Sequence, residues 1–496
     1  MAVGRSPDDR PVPMMDDSIA VTIRGGARIS VPHSLHLITP YVLLEQEDWF
    51  EDEIRLVRRY LQPGMRCVDA GASFGIYTAV MAQRVETSGR VWAFEPTPRT
   101  ADYLQNTLEL NDATNVTLTR AALSDRPGTV AFSVGEHSEL NAVAKDAASG
   151  NVQVEAITLD QAAAEGGWGD IDFIKLDVEG HEREVVAGGA VFFASASPLA
   201  MFEIKAGDRV DLGMLAPFRT LGYRFFRSLP QPPMLVPFDE AAQPDVAQLN
   251  IFAAKEDRVR RLAAAGLLAE GAGAVPETTA GAWADYLRTA PYAQDLLRGW
   301  PQKAGLFAGA DARLYFRALV RYAQSRAPAL DASTRIALLK QAKQEVTESI
   351  ARNDTLSRCV TSARLAYELG ERVTAVEALR RALPRIPAES YRLLAEPFLA
   401  PSSRHERIRI DAPDAWLFSA VGEQIERLGA YSSFLTGTST LGLLDALVQM
   451  PFCSPEMERR RQLIRMRAGL QAGPERSPRL CRASEDNLNV AYWCSG

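Results

Sequence analysis

Between Arg66 and Lys205 the chain alternates short apolar runs with amphipathic segments, and this alternation limits it to few folds. RCVDAG, RVWAFEP, NVTLTRAALSD, IDFIKLDVEGHE and LAMFEIK each read as a strand. IYTAVMAQRV and RTADYLQNTLELN, lying between them, read as helices. A helix between two strands returns the chain to the same end of the sheet, so the strands run parallel. The expected fold is therefore α/β, a Rossmann-like doubly wound sheet with helices on both faces. Ligands of such sheets bind beyond the carboxyl ends of the strands. Three of those ends carry an acid here: Asp69, Glu95 and Asp177.

The 496 residues are too many for one core. A hairpin is expected within residues 1–40, where SIAVTIRGGARISV alternates around Gly25-Gly26. The α/β domain is expected over 41–256, with GYRFFRS and LNIFAAK as a closing strand pair. Residues 257–282, rich in Ala and Gly, read as a helix and linker, 283–470 as an all-α domain, and 471–496 as a tail. Within the helical part, Gly370, Ala375, Leu379, Ala382 and Pro387 have the spacing of a tetratricopeptide-like hairpin near 357–387. An ordinary helical hairpin is the competing reading. The helical half is expected to fold separately and to hold the acceptor or a protein partner.

The turn VDAGASFG has an acid before two glycines, not the G-x-G-x-x-G of a dinucleotide site. Gly71 and Gly75 let backbone N–H groups approach a ligand at a helix start. Asp69 would repel a pyrophosphate and attract a cationic amino-acid group. S-adenosylmethionine, with its amine and sulfonium, meets that requirement. Glu95, ending the next strand in FEP, stands where an acid takes both ribose hydroxyls.

VDAGASFGIYT, FEP, AALSD and IDFIKLDVEGHE followed by FEI together resemble the FkbM family of S-adenosylmethionine-dependent methyltransferases. The resemblance runs from about Val42 to Lys255 and leaves the helical half without a counterpart. It implies O-methylation of a carbohydrate or glycosylated metabolite. It also implies that Asp69, Gly71, Ala72, Ser73 and Gly75 surround the methionine part, and that Glu95 and Pro96 lie at the ribose. Ala122 to Asp125 would flank the adenine. Ser73-Phe74 replaces the family's usual Asn-Ile.

KLDVEGHE places Asp177, Glu179, His181 and Glu182 at a strand end beside the expected methyl donor. A sugar hydroxyl is a poor nucleophile until a base takes its proton, and His181 is the natural base, with Asp177 orienting it or accepting the proton itself. The competing reading makes His181 a helix cap and Glu182 a solvated acid. No metal is expected, although Asp177, Glu179 and Glu203 are oxygen ligands that would suit Mg²⁺ if they converged.

The net charge of -7 does not favour a nucleic-acid partner. DVEG also stands where enzymes that methylate nucleobase amines carry Asn/Asp-Pro-Pro-aromatic. The run ERRRQLIRMR, with Arg459, Arg460, Arg461, Arg465 and Arg467, reads as a solvated helix face or as a grip for an anionic glycan. No apolar run is long enough for a membrane span, no secretory leader is evident, and five scattered cysteines form no disulfide framework. A cytoplasmic enzyme is expected. The remaining alternatives are a protein or peptide methyltransferase, and a helical scaffold with a nucleoside-sensing domain.

Overall fold

The computed structural model describes residues 17–133, 142–143, 152–206, 209–242, 244–245, 247–271, 273–294, 309–390, 396–470 and 477–494. Strands β1 (Ser18–Thr22) and β2 (Arg28–Pro32) pair antiparallel as the expected hairpin. Helices α1 (Ile38–Gln46) and α2 (Glu53–Tyr60) follow. Then come β3 (Arg66–Ala70), α3 (Ile76–Val85), β4 (Arg90–Phe94), α4 (Pro98–Leu110) and β5 (Val116–Thr119).

Strand β6 (Ala122–Ser124) leaves the main sheet, so NVTLTRAALSD is two strands and not one. The pattern itself slips there. Val116 and Leu118 are the apolar positions before Arg120, but Ala121 and Leu123 are those after it. A single strand cannot turn both sets to one face. With β7 (Gly128–Ser133), β8 (Ala142–Val143) and β9 (Val152–Thr158), β6 builds a four-stranded sheet of order β6-β9-β7-β8.

The chain re-enters the main sheet through α5 (Leu159–Glu165), β10 (Phe173–Leu176), α6 (Glu182–Ala187), α7 (Ala190–Ser195) and β11 (Leu199–Glu203). A two-residue pair, β12 (Lys205–Ala206) and β13 (Arg209–Val210), precedes α8 (Leu215–Thr220), β14 (Arg224–Pro230), β15 (Pro233–Pro237) and β16 (Asn250–Ala254). The main sheet has the order β15-β14-β16-β11-β10-β3-β4-β5. From β11 to β5 the strands are parallel, while β16 runs antiparallel to β11. The chain moves outward from β3 to β5, then returns to place β10 on the other flank of β3. The switch point therefore lies between β3 and β10, where a ligand crevice opens.

Alternate residues face opposite sides of these strands. Val68 and Ile174 pack on one face with Phe192, Phe193 and Phe218. Cys67 and Phe173 pack on the other with residues of α1, α2 and α3. Asp69 and Lys175 share the parity of Cys67 and Phe173, and they are register partners. Their side chains are thus brought together on the α2/α3 face.

The remainder is helical: α9 (Glu256–Ala264), α10 (Ala280–Thr289), α11 (Ala310–Ser325), α12 (Ala332–Arg352), α13 (Leu356–Glu368) and α14 (Arg372–Ala382). The longer helices that follow are α15 (Pro413–Gly429), α16 (Leu441–Leu447), α17 (Pro455–Arg467) and α18 (Val490–Cys494). Helices α13 and α14 form the hairpin foreseen around Gly370, whose φ is +74°. Helices α11 and α12 pack against each other as a pair as well, and neither pair is shown to be a tetratricopeptide repeat. The turn at Gly370 presses on the sheet edge, where Arg227 Nη2 donates to Leu369 O at 3.0 Å.

The two halves share cores. Leu229, Met234 and Val236 of the β14–β15 edge belong to the helical core. Leu463, Leu480 and Trp493 belong to the core under the N-terminal hairpin. The arginine run is not a solvated face. Arg459 and Arg460 of α17 are 0% and 1% exposed, and they pair with Glu47 at 3.3 Å and Glu45 at 3.1 Å. Arg461 and Arg465 pair with Asp445, and Arg467 donates to Phe434 O. A free grip on an anion is therefore not offered by these side chains. Glu47 and Glu45 stand more than 400 positions from these arginines, which is why the run itself did not disclose them.

Candidate functional site

The turn after β3 is built by close approach. Gly71 has φ +77°, and a Cβ there would stand 1.8 Å from the Asp177 carbonyl oxygen. Only glycine lets the β3 turn abut the end of β10 in this way. Gly75, at φ +86°, closes on α4 less tightly, since a Cβ there would stand 2.4 Å from Leu104 Cδ1. Between them the Gly71 and Ala72 N–H groups both donate to Phe94 O, at 3.1 and 2.9 Å. Ser73 is held at φ +48°, a strained position for a non-glycine residue, and its N–H donates to Glu95 Oε2 at 3.0 Å. Ala72 packs with Ala93, Leu104 and Leu108, so it belongs to the turn's apolar underside.

Glu95 is 6% exposed and follows β4 directly. Its second oxygen accepts the Thr97 N–H at 2.9 Å, and Pro96 between them is half-buried. Burial pushes the Glu95 carboxyl up to about 7 against the pull of the Thr97 and Ser73 backbone bonds. A carboxylate offers about four acceptor positions, so its bonds to Ser73 and Thr97 do not exhaust it.

Asp69 is wholly buried. Thr78 Oγ1 donates to its Oδ2 at 2.6 Å, while Oδ1 has no hydrogen-bond partner and lies 3.8 Å from Lys175 Nζ. Lys175 is the residue that sequence reasoning missed. It donates to Asp177 Oδ2 at 2.8 Å and sits over the Tyr77 ring at 5.2 Å. The signal was present, since FIKL carries one charge in an apolar strand, but only the register shows that it neutralises two acids. Glu51, before α2, was also missed. It accepts from Tyr77 OH at 2.6 Å and is raised by burial and by Asp177.

The acids of DVEGHE separate into different roles. Asp177 continues the Lys175 face, while His181, at the start of α6, is turned toward β6. His181 Nε2 lies 3.0 Å from Ser124 Oγ, and Nδ1 lies 3.5 Å from Glu184. Asp177 therefore does not orient the imidazole, as the sequence suggested. Burial lowers the His181 pKa against the pull of Glu184 and Asp125. Glu182 is 6% exposed and accepts the Val178 and Gly180 N–H groups, so it ties the turn and is not a solvated acid. Glu179 is exposed at φ 55°. Ala122 is buried in β6, and the exposed Asp125 follows Ser124 beside His181. Glu203, ending β11, is pushed up to about 9 by burial, then by Asp177 and Glu179. Among the described residues no group of three or more His, Cys, Asp or Glu side chains is arranged to hold a metal ion.

S-adenosylmethionine is compatible with these residues: a buried acid at the strand end beside the glycine turn, and an unpartnered Asp69 oxygen nearby. An acid–glycine turn at the switch point of a parallel sheet, followed by a buried acid at the next strand end, is the architecture of a nucleoside-binding α/β protein. Within that class, residues 69–225 match the model of the methyltransferase FkbM domain. The hexuronic acid methyltransferase AglP of Haloferax volcanii is 29% identical over 157 residues, which cover 32% of this chain and 63% of that protein. The match thus spans less than two thirds of that relative's length.

Two solved structures are among the similar ones. The methyltransferase FkbM of Methylobacillus flagellatus is 16% identical, with a TM-score of 0.27, over 43% of this chain and 58% of its own. A SAM-dependent O-methyltransferase of Thermotoga maritima is 14% identical, with a TM-score of 0.25, over 48% and 77%. No helix among the described residues is long and apolar enough to cross a membrane.

Proposed function

We propose that this chain is an S-adenosylmethionine-dependent O-methyltransferase acting on a hydroxyl of a carbohydrate or glycosylated metabolite. The observation that carries the reading is the β3 turn bound to Glu95 through Ser73, inside residues matching the FkbM domain. The similarity to a hexuronic acid methyltransferase supports the carbohydrate class.

Gly71, Ser73 and Gly75 would line the methionine part, Glu95 would accept the ribose hydroxyls, and Ala122 to Asp125 would border the base. When bound, the donor supplies an electrophilic methyl on a sulfonium that leaves as a neutral thioether. The residues of the chain then have two tasks. They align the acceptor oxygen, which removes much of the barrier to an in-line displacement, and they take its proton. His181, kept neutral by burial, is the proposed proton acceptor. Lys175 holds Asp177 in place at the end of β10, and Glu179 follows on the exposed turn.

Incubation of the full chain with donor labelled in the methyl group, followed by fractionation, tests the reading. Label should appear in an alkali-stable ether of a sugar. Label only on protein side chains or nucleobases would refute the acceptor class.

A further inference from the structure

An open cavity of about 490 Å³ lies on the helical half, between α11 and the end of α12. Pockets that hold small ligands run from roughly 300 to 1,000 Å³, so a sugar unit fits a space of this size. None of its described lining residues falls within residues 69–225. The surface therefore belongs to the part of the chain that the family match leaves without a role.

Arg313 and Arg317 stand one turn apart on α11, and residues so spaced share a helix face. Helix α12 packs along α11 and brings Arg352, its last residue, to the same concavity. Apart from Thr278, the rest of the described lining is apolar: Leu314 and Val320 are buried, and Phe316 is half-buried. Three guanidinium groups thus surround an apolar wall.

The charge of this lining is one-sided. No carboxyl group comes from the described lining residues, although the whole chain has a net charge of -7. The acids of α11 and α12 nearby are engaged elsewhere. Asp311 pairs with Arg358 at 3.1 Å, and Glu348 accepts from Gln344 Nε2 at 3.0 Å. Glu345 is shared by Arg317 and Arg321, at 2.6 and 3.1 Å. Arg317 uses its Nε in that pair, and its side chain stays 47% exposed. Arg352 is exposed and forms no ion pair with a described residue.

A guanidinium presents a planar fork of donors that matches the oxygens of a carboxylate or a sulfate ester. An anion placed among three such cations also relieves their mutual repulsion. Phe316 and its apolar neighbours suit the C–H face of a pyranose ring, and Thr278 adds a hydroxyl. We propose that this cavity holds an acidic sugar unit of a glycan, at a site on the helical half separate from the donor turn. The choice of a sugar over other anions rests on the carbohydrate reading above.

Calorimetry on the full chain at physiological salt, with trigalacturonate, maltotriose and inorganic sulfate as probes, tests this. Trigalacturonate should bind at least tenfold more tightly than either of the others. Arg352→Gln should weaken it about tenfold or more, as expected for losing a hydrogen bond between charged groups. Arg317→Lys keeps a charge beside Glu345 but lacks the planar fork, and it should weaken binding several-fold. Arg260→Gln, at an exposed arginine of α9 outside the cavity, should change nothing. The proposal is overturned by maltotriose or sulfate binding as tightly as trigalacturonate, or by no binding of trigalacturonate. Indifference to both cavity substitutions, or an equal loss with Arg260→Gln, also overturns it. Binding is read without methyl transfer, so label found on protein or nucleobases would count against the carbohydrate reading while a positive binding result stands.

Discussion

Replacing Arg460 by Met should destabilise the whole molecule, not only its C-terminal end. Arg460 is 1% exposed, and its guanidinium lies 3.1 Å from Glu45 Oε1 and 3.1 Å from Glu456 Oε1. It also donates to Glu426 O at 3.0 Å. Burial works against the Glu456 carboxylate, but Arg427, Arg460 and Arg459 together hold it down at about 2. Methionine roughly fills the space, so the cavity contribution is small and the lost charge dominates.

Glu45 would keep the hydroxyls of Ser432 and Ser433 but would have no cation, and breaking such a buried pair costs ~3–5 kcal/mol. Urea unfolding followed by tryptophan fluorescence measures the loss, since Trp493 lies in the N-terminal core. Adding Glu45→Gln should recover part of it, with a coupling of ~0.5–3 kcal/mol. A loss below ~1 kcal/mol would refute the claim that this pair locks the two ends of the chain together.

Removing the Glu95 carboxyl by Glu95→Ala should weaken donor binding by ~1.5–3 kcal/mol, measured by calorimetry. Because the Glu95 carboxyl titrates at about 7, donor affinity should fall below that pH by up to about tenfold per unit and hold steady above it, and Glu95→Gln should abolish the dependence. Without donor the sign reverses: the unfolded carboxyl ionises lower than the folded one, so stability declines as pH rises toward 7. His181→Ala should lower turnover ~10²–10⁴-fold with donor affinity intact, and near-normal turnover would assign His181 to holding Ser124. Gly71→Ala should abolish donor binding, because its Cβ would drive the turn away from the Asp177 carbonyl, and unchanged calorimetry would remove the turn from the site.

The sequence alone determined what depends on neighbours along the chain. Alternating apolar periods set the parallel strands, and glycines at positive φ marked the turn after Asp69, because both are properties of a few consecutive residues. The slip from Val116 and Leu118 to Ala121 and Leu123 was also written there, as a break in period that separates two sheets. Tertiary structure decided everything that pairs charges across distance. The β3–β10 register places Lys175 between Asp69 and Asp177, and neither strand carries that register within itself. His181 meets Ser124 and not Asp177 because the two lie toward different faces of the sheet. Arg459 and Arg460 look like a solvated run until α1 brings two acids against them. A local pattern reports which side chains share a face of one element. Which charge meets which depends on how the elements pack, and a charge leaves water only when its partner arrives from elsewhere in the fold.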